Sequence, residues 1–351
     1  MSGFLLLAVS FLYPLHSSTI VHLCYYAAMK PIPLNVLTLY ADLEQNVGPD
    51  TLDAATISRR LVGGQRRLYA DIRRGDWREQ KYLGTVGDPA AEELAARYKR
   101  GASDAGNRRS TITLLKRAGL NAPDAGTGRI LETLARAKLF ERGAVLVGTV
   151  AYQTYAPLSG VFLTGAALAT QDADLAATRL VIPHLAGAED LQAILRRADA
   201  TFAPRFEQGD KLPRRFASEA GFVVELLTTL GRNSDLVQVP GLGCAAIPLR
   251  FMEYLIDDPV DVVVLHGSGV RIRVPDPARY AVHKLIVHQV RTSPAKKPKD
   301  LLQARQLIAA YRARDPGHLD AAIEDAASRG RTWAKLVRDG LRLAGASDQT
   351  R

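Results

Sequence analysis

The spacing of apolar residues changes several times along the chain, and each change marks a new element. Val36, Leu37, Tyr40 and Leu43 recur at helical spacing and predict a helix over 36–47. The stretch RLVGGQRRLYADIRRGDWREQKYLG then breaks into short aromatic and β-branched runs at Gly63-Gly64 and Arg74-Gly75-Asp76, the texture of a hairpin or small meander. Two helices are expected next, over 90–100 and 108–118, separated by a break at 101–107. Ile130, Leu131, Leu134, Leu139 and Phe140 give an amphipathic helix that leads into a buried strand at 144–147. Gly148-Thr149 opens a further helix, which Pro157 is expected to stop. Strands are expected at 172–176 and 221–228, with a helix at 190–198 between them. Strands at 246–251, 260–266 and 270–274 read as an additional sheet or hairpin turning at Gly267-Ser268-Gly269. From Pro277 the period is helical, over 278–291, 300–312, 318–327 and 332–343. The expectation is an α+β fold.

Composition narrows the class. With 351 residues, 47% of them hydrophobic, the chain can bury a sizeable core. Two cysteines, Cys24 and Cys244, cannot supply a disulfide framework, so a reducing, cytoplasmic setting is expected. The apolar run Phe4 to Leu15 has no Lys or Arg ahead of it and is too short for a membrane span. The composition changes at Met29, and residues 1–28 are expected to be a start-site extension, with no membrane partner. Four regions follow: 1–28, a basic 29–126, a central 127–275 and a helical 276–351. The formal charge of +10 is uneven, since residues 59–117 hold fifteen Lys/Arg against seven Asp/Glu, a local +8. RNA or another polyanion is the partner such a region would take, and a solvated basic face is the plain alternative.

The residue pattern that carries chemistry is a glycine-led turn, an Asp-x-Asp pair and a later carboxylate on an apolar strand. Asp172 and Asp174 are two apart, so in an extended segment they share a face and offer hard oxygen ligands to divalent ions in phosphoryl transfer. Gly148-Thr149 at a helix start offers backbone N–H groups and a hydroxyl to a triphosphate. Glu225 sits in GFVVELLTT between Val223 and Leu227, where a carboxylate needs a metal or a cation. Plainer roles stay open for each: a turn or helix-cap pair for the two aspartates, and a salt bridge to Arg214 or Arg215 for Glu225.

The runs AVLVGTVAYQTYAPLSGV, TQDADLA, VVELLTT, DPARYAVHKLIVHQVR and KPKDLLQARQLI, over about residues 127–312, together resemble a bacterial branch of the DNA polymerase β-like nucleotidyltransferase superfamily. The resemblance implies a nucleotidyltransferase mixed sheet and transfer of a nucleoside monophosphate from an NTP to an acceptor, with Mg²⁺ or Mn²⁺ held by Asp172, Asp174 and Glu225. Gly148 and Thr149 match the family's Gly-[Gly/Ser/Thr] position. Lys284 matches its helical lysine and would contact the triphosphate, with Tyr280, His288 and Arg291 on the same side of the helix. A solvated polar face is the alternative for that stripe, and Asp300 reads as a helix cap or a partner for Arg291. Members of the branch often carry Asp and Leu-Thr-Pro where this chain has Glu225 and Leu226 to Thr229. That departure motivates one rival, a catalytically degenerate nucleic-acid-binding protein. A second rival is a toxin-type transferase of a toxin-antitoxin or defence system.

Overall fold

The computed structural model describes residues 29–48, 55–74, 77–163, 172–176, 190–230 and 235–346; the side chains of 73, 74, 77, 172–176 and 240 lie outside that description. The expected extension 1–28 lies outside it too. Pro31–Asp276 form one compact unit, and the chain from Pro277 onward belongs to another.

In the first unit, α1 (Leu34–Asn46) precedes an antiparallel meander of β1 (Ala55–Val62), β2 (Gln65–Arg74) and β3 (Trp77–Thr85). Gly63 and Gly64 turn β1 into β2 with φ of 59° and 78°, a region glycine enters without a Cβ penalty. Strand alternation gives the meander two unlike faces. Leu68, Ala70 and Ile72 point inward to Ala91, Ala95 and Tyr98 of α2 (Pro89–Arg117), while Arg67, Tyr69 and Asp71 point the other way.

The helix α2 runs unbroken through 101–107, where the local sequence predicts a gap. Gly101 and Gly106 each weaken a helix by about 1 kcal/mol relative to Ala. Buried Ala91, Ala95 and Tyr98 before the glycines, and Ile112 and Leu115 after them, anchor both ends in the core and override that preference. Asp88 caps the start, its carboxylate accepting from the N–H of Ala90.

α3 (Ala125–Arg136) leads to β4 (Val145–Val147), then to the short helices α4 (Gly148–Tyr152) and α5 (Ala156–Ser159). Pro157 does not stop a helix but occupies the first turn of α5, where its missing N–H costs nothing. The central sheet takes β5 (Asp172–Ala176), then, after α6 (Leu191–Arg196), β6 (Ala203–Arg205), β7 (Arg215–Ala217), β8 (Val223–Thr229), β9 (Val237–Val239) and β10 (Cys244–Leu249). Its main order is β4-β5-β8-β10-β9, with β6 and β7 branching from β8. The sheet is mixed: β5 and β10 run parallel to β8, whereas β4 is antiparallel to β5 and β7 to β8. β10 therefore belongs to this sheet rather than to a separate one. After α7 (Met252–Ile256), only β11 (Val260–Val264) and β12 (Val270–Val274) form the separate hairpin.

The second unit is helical: α8 (Pro277–Val290), α9 (Lys297–Arg314), α10 (Pro316–Ser328) and α11 (Arg331–Ala344). Gly340 lets α11 approach α8 closely, since a Cβ there would lie 2.7 Å from Cβ of Leu285. Among the described residues no helix is long and apolar enough to cross a membrane.

Candidate active site

The site begins at β8, a strand with Val224, Leu226 and Thr228 buried on one face and Glu225 half-buried on the other. A strand has two edges. β5 occupies one of them over 223–227; β7 lies along the first half of the other, and β10 along the second half. Hydrogen-bond register then lines up one residue from each strand in a transverse row. Val147 of β4 faces Asp174 of β5, Asp174 faces Glu225 of β8, Glu225 faces Arg215 of β7, and Arg215 faces Arg205 of β6. Asp172 lies two positions from Asp174 and in register with Val223, so alternation puts positions 172, 174 and 225 on one face of the sheet. The side chains of Asp172 and Asp174 are outside the described set.

Gly148 follows Val147 directly, at the end of that row. Its φ of 74° turns the chain sharply from β4 into α4, and Thr149 next to it is buried. The glycine-led turn and both carboxylate strands thus meet within three neighbouring strands of one sheet.

Glu225 has a cationic partner, the one of the two candidate arginines that faces it across the sheet. Nε of Arg215 donates to Oε1 of Glu225, and a second nitrogen of Arg215 donates to Glu207 at 3.0 Å. Arg214 engages Asp210 at 2.7 Å and shares Glu207 with Arg215, at 3.1 Å. Those bonds to Arg214 hold the Asp210 carboxyl below its ordinary range. The sequence offers Arg214 or Arg215 as the partner of Glu225 but neither the choice between them nor Glu207, because β7 is three residues long and carries no periodicity to read. Cys244 is no candidate nucleophile: burial, with Asp190 nearby, pushes its thiol up to about 12.

Lys284 lies in the helical unit. Its ammonium donates to Oδ1 of Asp300 at 2.7 Å, is almost wholly buried, and sits 5.2 Å from the Tyr280 ring centroid. Arg291 pairs with Oδ2 of the same carboxylate at 2.9 Å, and Tyr280 donates to Gln303 at 2.9 Å. Tyr280 and Lys284 of the polar stripe are therefore buried against α9 rather than solvated, with His288 and Arg291 half-buried. Asp300 is not a helix cap, since α9 starts at Lys297; it is the shared partner of two cations. Burial pulls the Lys284 ammonium below its ordinary value, with Asp300 acting against that pull.

Among side chains that are described, no three His, Cys, Asp or Glu converge as a metal site. The residue types at positions 172, 174 and 225 nevertheless fit a hard divalent cation, since three acidic residues occupy positions on one sheet face.

A family model described as nucleotidyltransferase matches residues 125–328. Among solved structures, the chain is similar to an antigenic nucleotidyltransferase-like protein from Paracoccidioides brasiliensis, at 14% identity and a TM-score of 0.30, over 62% of this chain and 94% of that one. No curated protein matches.

Proposed function

This chain belongs to the nucleotidyltransferase family, and on that footing we propose that it transfers a nucleoside monophosphate from an NTP to an acceptor hydroxyl, with Mg²⁺ or Mn²⁺ as cofactor. The observation that carries this reading is the row Val147–Asp174–Glu225, which brings the Gly148-Thr149 turn beside both carboxylate strands. Asp172, Asp174 and Glu225 would hold the cation, which when bound neutralises phosphate charge and eases ionisation of the acceptor. Gly148 and Thr149 would receive the triphosphate at the start of α4. The acceptor oxygen forms a bond to the α-phosphorus as the bond to the bridging α–β oxygen breaks. Pyrophosphate leaves, and the acceptor proton passes to Glu225 or to water. Lys284 is assigned to the helical unit's own cohesion, because a triphosphate contact would first have to open its pair with Asp300.

One observation favours a second reading. Arg215 already engages Glu225, as it would in a degenerate scaffold that binds ligands without turning them over. Label from each of four α-labelled NTPs, followed into RNA, protein and small-molecule extracts with and without Mn²⁺, separates the two. Metal-dependent transfer is expected, and Asp172→Ala or Asp174→Ala is expected to cut it more than about 100-fold, beyond the effect of losing a residue that merely supports a ligand. Absence of transfer with every NTP, or wild-type transfer in both variants, would sink the assignment.

A further inference from the structure

We propose that the outward face of the β1–β3 meander binds single-stranded nucleic acid, stacking bases on Tyr69 and Tyr82 and neutralising phosphates with Arg60, Arg67 and Arg78. The inward face is used up on α2. On the outward face Arg60 of β1 stands directly opposite Arg67 of β2, and the register likewise pairs position 73 of β2 with Arg78 of β3, also an arginine. Like charges directly opposite one another destabilise a sheet. The Arg60–Arg67 pair adjoins Tyr69 and Tyr82, themselves register partners with ring centroids 5.4 Å apart. Against Arg60, Arg67 and Arg78 the described side chains of this face set one acid, Asp71, at 3.5 Å from Arg60.

The arginines also lie over the rings. The guanidinium of Arg60 is 5.8 Å from the Tyr69 centroid, and that of Arg67 is 5.7 Å from the Tyr82 centroid. Both distances sit at the outer edge of a cation–π contact, so the rings themselves hold the guanidinium groups only weakly. A planar base entering the face would take the ring, and the displaced guanidinium would meet the phosphate beside it. Tyr82 is 50% and the Arg60 side chain 52% exposed, so one ring and one charge are presented to solvent, with Tyr69 and Arg67 half-buried beside them. Duplex nucleic acid hides its base faces, which makes a single strand the matching partner. The local +8 of residues 59–117 supplies the charge complementarity.

The proposal is independent of the metal site, because binding is measured with EDTA and without NTP. The full chain is titrated by fluorescence anisotropy with labelled oligouridylate, oligothymidylate, the corresponding duplex and inorganic polyphosphate at several salt concentrations. Either single strand is expected to bind more tightly than the duplex or polyphosphate. Tyr69→Ala with Tyr82→Ala is expected to weaken it by roughly tenfold or more with an unchanged salt slope, and Tyr69→Phe with Tyr82→Phe to restore it. Arg60→Gln with Arg67→Gln is expected to lower the salt slope by about 1.4, two single-strand phosphate contacts at ~0.7 each. Parent-like binding by the alanine pair, or equal binding of polyphosphate, overturns the proposal. Should the alanine pair fail to melt cooperatively, the arginine pair decides: an unaltered salt slope there overturns it as well.

Discussion

His283 is buried in α8 next to Lys284, and burial, with the Lys284 and Arg291 charges, holds its imidazole down to about 3. In the unfolded chain the same ring titrates near its ordinary value of about 6.5. Between these values the unfolded state binds the extra proton, so the stability associated with His283 is complete above about pH 6.5 and is lost as pH falls toward 3. Thermal melting of the full chain is expected to drop from pH 7 to pH 4, and His283→Gln to flatten that drop; an unchanged profile in the variant would place the sensitivity elsewhere. Asp300 makes a second case at this scale. It neutralises two cations, so Asp300→Ala strands both and is expected to cost about 3–5 kcal/mol in denaturant unfolding. Lys284→Met leaves Arg291 on Asp300 and is expected to cost less. The reverse order would mean that the Lys284 stem, not the shared carboxylate, holds α8 to α9.

At the scale of elements, α3 packs on the β11–β12 hairpin and approaches its turn closely at Gly128. A Cβ on Gly128 would fall inside the ring of His266, which also lies 3.6 Å from Glu132 one turn along α3. Gly128→Ala is expected to destabilise by about 1–3 kcal/mol as an overpacked contact. Adding His266→Ala is expected to recover most of that loss, a non-additivity that a double-mutant cycle reads directly. The β7–β8 pair gives a second element-scale expectation. With Arg215→Gln, Glu225 loses its cation, and Mn²⁺ measured by electron paramagnetic resonance is expected to bind more tightly. Weaker binding would instead make Arg215 a support that aims the carboxylate.

Across the whole molecule, function and stability are expected to separate. Replacing Asp172 and Asp174 together by Ala removes two like charges two residues apart, so melting is expected to hold or rise while metal-dependent transfer disappears. A large fall in melting temperature would make the pair structural. The separation follows from how the chain is organised. Short-range patterns wrote the elements themselves: the strands at 172–176 and 270–274 and the helical period of the four helices after Pro277 were legible, and so were the Asp-x-Asp spacing and the Gly148 turn, because each is complete within a few residues. Tertiary structure alone decided three matters. It joined two expected helices into α2, because buried Tyr98 and Ile112 on either side of the glycines outweigh a weak local preference. It chose Arg215 rather than Arg214 for Glu225, because antiparallel register, which no single segment encodes, sets which of two adjacent residues faces the strand. And it buried the Lys284–Asp300 pair, since a helix in isolation carries the same polar stripe whether water or another helix comes to cover it.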